Sequence, residues 1–103
     1  MNTPFNFIDD NGIQLQGELD RDSLTTNWWT MLDTGQKNRL TASKACRFDL
    51  SSVERIDSAG LAWLVNAVRD ARANGIKITL QNAPEKLLKL AKISDVDRLL
   101  PLE

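Results

Sequence analysis

Val53-Glu-Arg-Ile-Asp-Ser-Ala-Gly-Leu61 decides how the rest of the chain is read. It begins as an apolar segment, reaches an acidic residue, and presents a hydroxyl next to a small residue and a glycine. A helical pattern follows at once. Leu61, Leu64, Val65, Val68 and Ala71 form one stripe between Ala59 and Ala73, and Asn74-Gly75 provides a stop. The stretch therefore predicts a strand giving way to a helix around Ser58. A hydroxyl at such a junction lies beside free backbone N–H groups and the positive end of the helix dipole. That is a good place for a phosphate, or for a partner that reads whether one is present. The plainer alternative is a helix cap, from Ser58 or from Asp57.

Working outward, Phe5-Asn-Phe-Ile-Asp9 alternates briefly and meets Asp10-Asn11-Gly12, a tight-turn signal. Ile13 to Leu19 then alternates, with Ile13, Leu15 and Leu19 on one face, so a β-hairpin is expected. Asp20 to Ser23 offers helix caps. Leu24, Trp28, Met31 and Leu32 recur at helical spacing, with Trp29 at the stripe's edge and Gly35 as the helix end. Gln36 to Ser43 is polar and reads as a loop.

Ala45-Cys-Arg-Phe-Asp-Leu50 reads as a strand that Ser51-Ser52 loosens before Val53 and Ile56. Ile76 to Leu80 alternates cleanly as the next strand. Pro84 suits a first helical turn. Leu87, Leu88, Leu90, Ala91 and Ile93 make a broad apolar face, and a last short helical turn follows Val96. The order β-β-α-β-α-β-α implies an α/β fold. Parallel strands with right-handed crossovers carry an antiparallel hairpin at one edge, in a mixed sheet of four or five strands with helices packed on it.

A length of 103 residues suits one domain over 1–103. Such a domain buries roughly two-thirds of its unfolded surface, enough for a core without staples. A net charge of −1 points to neither nucleic acid nor an anionic membrane. Lys37, Arg39, Lys44 and Arg47 form a loose basic cluster that reads as a solvated loop. One cysteine, Cys46, excludes an internal disulfide and reads as a small packed side chain. The absence of histidine excludes Ser-His-Asp and Cys-His chemistry and any His-ligated metal. No phosphate-binding glycine loop of the G-x-x-x-x-G-K-[ST] type occurs. No cofactor, metal or catalytic residue is therefore expected. A nucleotide-binding module would need a basic residue near Ser58, and Arg55 is the nearest in sequence. The start lacks a signal-peptide pattern and no run approaches a membrane span, so a soluble cytoplasmic protein is expected.

One further reading comes from the helix itself. At about 100° per residue its apolar centre falls between Leu64 and Leu61. Trp63 then lies nearly opposite, alongside Asp70, Asn66 and Ala67. Ala59 and Gly60 keep the surface low one turn earlier. Tryptophan is enriched at binding hot spots. Asp57, Ser58, Ala59, Gly60, Trp63 and Ala67 are thus expected to form one partner-binding patch. Burial of Trp63 under a loop or the C-terminal tail is the alternative.

Three elements coincide: Gly17-Glu-Leu-Asp20, Phe48-Asp-Leu-Ser51 and Asp57-Ser-Ala-Gly-Leu61. Together, in this element order, they resemble the STAS family of sulfate-transporter and anti-sigma-factor-antagonist modules, from about Ile13 to Leu100. Short members of that family fall into two groups. Anti-sigma-factor antagonists bind a switch kinase and are phosphorylated on the serine matching Ser58. The small STAS subunit of the Mla-type ABC transporter binds the cytoplasmic ATPase of a system that moves phospholipids between Gram-negative membranes and maintains outer-membrane lipid asymmetry. Gly17 to Leu24 with Trp28, and Gln81 through the Lys89-Leu-Ala-Lys92 helix, are similar to the transporter group. The resemblance implies a non-catalytic docking subunit, peripheral to the inner membrane through its partner. An antagonist regulated at Ser58 is the alternative.

Overall fold

The hairpin forms where alternation and turn chemistry put it. In the computed structural model, which describes residues 5–9, 11–19 and 27–101, β1 spans Phe5–Asp9 and β2 spans Gly12–Leu19. They pair antiparallel, with Phe5 opposite Leu15 and Phe7 opposite Ile13. Asp9 accepts a hydrogen bond from the Asn11 N–H at 3.1 Å, which helps close the turn. Ile13, Leu15 and Leu19 are all buried on one face, as their spacing requires.

β3 is one long strand, Ala45–Ile56, and β4 spans Lys77–Gln81. Both run parallel to their neighbours, giving a four-stranded sheet in the order β1-β2-β3-β4. The register between β2 and β3 shifts between Gln14 and Gln16 and again between Gly17 and Glu18. Ser51 and Ser52 loosen β3 without ending it. Gly17 has φ +74°, a conformation that favours glycine, and it sits at the second shift.

The region after β2 departs from expectation. Leu24 and the caps read between Asp20 and Ser23 lie outside the described residues. The first described helix, α1, is only Trp28–Met31, and Gly35 does not end it. Instead α2 runs Thr34–Ser43, across the stretch read as a loop, with Gly35 in its first turn. The cause is local. Asp33 accepts from the Gln36 N–H at 2.7 Å, and the Gln36 side chain accepts from the Asp33 N–H at 2.9 Å. This reciprocal capping box starts a helix that only Leu40 anchors by burial. Lys44 closes it in the left-handed conformation, φ 61°. The basic cluster is therefore spread over regular elements. Lys37 lies 5.4 Å from the Trp29 ring centre, and Arg47 pairs with Asp9.

Helix α3 spans Ser58–Ala73, α4 spans Glu85–Ile93, and a 3₁₀ turn at Asp97–Leu99 ends the described helices. The element order among described residues is thus β-β-α-α-β-α-β-α, one helix more than read. The core gathers Trp28, Leu40, Phe48, Leu50, Leu64, Leu80 and Leu87 with the inward face of β2. Trp28 packs edge-on to Phe48, ring centres 5.2 Å apart. The apolar face of α4 is narrower than its leucines suggest. Leu87 and Ala91 are buried, whereas Ile93 is 82 % exposed. Among the described residues no helix is long and apolar enough to cross a membrane.

Candidate functional site

The junction at Asp57 is built by two strand ends. Ile56 is buried and closes β3. The Asp57 N–H then donates to the carbonyl oxygen of Leu19, the last residue of β2, at 3.2 Å. The Asp57 carboxylate accepts from the Gly60 N–H at 3.0 Å, and its own carbonyl accepts from the Leu61 N–H. Asp57, and not Ser58, is therefore the N-cap of α3.

That assignment frees Ser58. It is the first residue of α3 and is exposed, while Ala59 beside it is half-buried. The first amide groups of a helix have no intrahelical partner and the dipole there is positive. Ser58 thus presents a hydroxyl on a surface suited to reading charge.

Gly60 has a different task from the one expected. It faces the sheet, not a partner. A Cβ at this position would stand 2.2 Å from the Leu19 carbonyl oxygen and 2.8 Å from Ile56 Cγ1. Only glycine lets α3 approach β2 so closely. The same Leu19 oxygen receives the Asp57 N–H, so the Gly-Glu-Leu and Asp-Ser-Ala-Gly stretches meet at one atom. Their joint occurrence has a packing reason.

Trp63 corrects the expected patch. It is 5 % exposed, and its ring lies 6.5 Å from that of Phe5 on β1. Ala67 is fully buried as well. The buried side of α3 runs through Gly60, Leu61, Trp63, Leu64, Ala67, Val68 and Ala71. It is turned toward the small residues relative to the hydrophobic stripe, because Gly60, Ala67 and Ala71 permit the tightest approach to the sheet. Trp63 then fills the wider gap over the β1 edge. Of the six residues expected at the surface, Asp57, Ser58 and Ala59 meet at the α3 start. Gly60, Trp63 and Ala67 belong to the core.

The open face beginning at Ser58 continues along α3 through exposed Ala62, half-buried Val65 and exposed Arg69. These lie four, seven and eleven positions on, the spacing of one helix face. That spacing was available in the sequence.

Cys46 is fully buried, and burial pushes its thiol pKa up to about 12, which leaves it unreactive. Asp49, within β3, accepts from the Ser51 N–H at 2.9 Å and from Asn82 at 3.1 Å, and these bonds hold its carboxyl below its usual value. Among the described residues no group of three or more acidic, cysteine or histidine side chains could hold a metal ion.

A family model described as Mlab, STAS domain matches residues 8–101. The chain belongs to the STAS family. This STAS chain is 35% identical over 81 residues to the intermembrane phospholipid transport system binding protein MlaB of Escherichia coli K12, covering 79% of this chain and 76% of that one. The Shigella flexneri protein of the same name matches equally. Among solved structures, the anti-sigma factor antagonist SpoIIAA in its unphosphorylated form aligns with TM-score 0.59 at 14% identity, over 96% of this chain and 85% of that one. A Thermotoga maritima protein provisionally described as an anti-sigma factor antagonist aligns with TM-score 0.61 at 21% identity, over 96% and 83%. These two carry the fold alone. The STAS architecture read from the sequence is the one observed.

Proposed function

We propose that this chain is the non-catalytic STAS subunit of an Mla-type system moving phospholipids between the membranes of a Gram-negative bacterium. It docks on the cytoplasmic ABC ATPase of that system, and reaches the inner membrane only through it. The observation that carries the reading is the 35% identity to MlaB across most of both chains. The docking half rests on the α3 start. Ser58 is exposed there because Asp57 has taken over the cap. The contact surface is Asp57, Ser58 and Ala59, extended along α3 by Ala62, Val65 and Arg69.

The mechanism is steric and electrostatic. A neutral Ser58 allows close contact with the ATPase. A negative charge there is favourable in the free chain, by about 0.3–1 kcal/mol at a helix start. In the complex the same charge would be buried without a counterion, which is costly. Ser58→Asp should therefore keep the fold and weaken binding by about tenfold or more. Calorimetric titration of wild type and Ser58→Asp into the purified ATPase subunit tests this. Equal affinities would leave Ser58 outside the interface.

The second reading is an anti-sigma-factor antagonist phosphorylated on Ser58. The exposed hydroxyl at a helix start favours it. Incubation with a switch kinase and ATP, followed by mass spectrometry, discriminates. Stoichiometric phosphate on Ser58 together with no affinity for the ATPase would replace the transporter reading.

A further inference from the structure

Among the described residues the sheet ends at β4, and its outer edge is only partly paired. The Leu80 N–H donates to the Pro101 carbonyl at 2.9 Å, on the side away from β3. Backbone groups in a strand point to alternate sides. Lys77 donates to Lys44 on the inner side, so Ile78 turns its N–H and C=O outward with Leu80. Among the described residues nothing pairs with Ile78 on that outer side. An open edge of this kind is a template for another strand.

Beside it lies an open groove of about 330 Å³. Val68, Ile76, Ile78 and Pro101 give it an apolar floor, and Arg72 and Lys77 stand at its rim. Both cations are exposed, and neither has an acidic partner among the described residues. Apolar floor, unpaired edge and two cations meet in one place, on the flank of α3 beyond the Ser58 surface.

We propose that the outer edge of β4 and this groove take an extended acidic segment of a partner protein as an added fifth strand. Main-chain bonds to Ile78 would fix the segment, and alternate side chains would enter the groove, as in strand addition generally. Carboxylates on the segment would meet Arg72 and Lys77. The Pro101 carbonyl already uses the neighbouring position of the same edge, so the geometry for such a bond exists in this fold. A lipid chain would fill the apolar floor but leave the Ile78 amide and carbonyl without partners, which disfavours it.

The probe is a phage-displayed library of random 12-residue peptides, selected on the immobilised full chain. The expected result is enrichment of peptides with alternating apolar residues and two or more carboxylates. A synthetic copy of the best should slow hydrogen exchange at the Ile78 amide. Its affinity should fall at least tenfold on the double variant Arg72→Glu, Lys77→Glu, whose substituted positions are exposed; a melting curve checks that the fold survives the loss of the Arg72 cation from the last turn of α3. The proposal is overturned if no peptide is enriched, if the double variant binds with unchanged affinity, or if Ile78 exchange does not respond. It is equally overturned if the chain forms a dimer that the double variant abolishes, which would assign the edge to a second copy. None of these outcomes bears on Ser58.

Discussion

Gly60→Ala adds one methyl group at the tightest approach between helix and sheet. The new carbon would lie 2.2 Å from the Leu19 carbonyl oxygen and 2.8 Å from Ile56 Cγ1. The oxygen belongs to the main chain and cannot rotate away, so α3 or the end of β2 must move. Overpacking of a filled contact costs about 1–3 kcal/mol. Alanine returns up to about 1 kcal/mol through its better helix propensity. Because the clash is with backbone, the upper end of the cost applies and the net loss is about 2 kcal/mol. In a domain of this size that lowers the melting temperature by about 10 °C. Gly35→Ala is the control. Its Cβ would lie 3.4 Å from an Asp33 carboxylate oxygen, an ordinary contact in the first turn of α2. It should stabilise by about 0.4–1 kcal/mol. Thermal melts by far-UV circular dichroism decide both. Gly60→Ala melting at or above wild type would mean that the glycine is not demanded by the sheet, and the packing argument for the junction would fail.

Trp63→Ala should destabilise the fold by about 3–5 kcal/mol, as removal of a buried tryptophan does, and a wild-type melting curve would return Trp63 to the surface. Cys46 should resist alkylation by iodoacetamide in the native state and react once guanidinium unfolds the chain; rapid native labelling would contradict its burial. Asp49 has a folded pKa below its unfolded value of about 3.9, so it contributes stability above that pH and loses it as pH falls through the folded pKa. The stability gap between wild type and Asp49→Asn should be constant near neutral pH and shrink below about pH 4; a gap that does not change would refute the hydrogen-bond assignment.

Most of the sheet was legible because its strands alternate or are bounded by strong turn residues. Ile13, Leu15 and Leu19 could face only one way, and Ile76, Ile78 and Leu80 likewise. Helix α2 was not legible by periodicity, since Leu40 is its one buried residue. Its signal was the Asp33–Gln36 pair, which is local hydrogen bonding and carries no hydrophobic period. The orientation of α3 failed for a related reason. Glycine and alanine weigh little in a hydrophobic stripe, yet they determine which side can come nearest a sheet. Gly60, Ala67 and Ala71 drew the helix round and carried Trp63 into the core against Phe5. Ser58 could be placed at a strand-to-helix junction because the switch from an apolar segment to a helical stripe is marked by residue type. That Asp57 would do the capping depended on a rotamer, which residue type does not specify.

The docking claim is tested most directly by hydrogen exchange on the chain with and without the purified ATPase subunit. The amides of Ser58 and Ala59 lie in the first turn and lack intrahelical partners, so they should exchange quickly in the free chain. The account expects both to become protected in the complex, together with slower exchange along the Ala62–Arg69 face. Protection confined to another surface, with Ser58 and Ala59 exchanging as before, would contradict it.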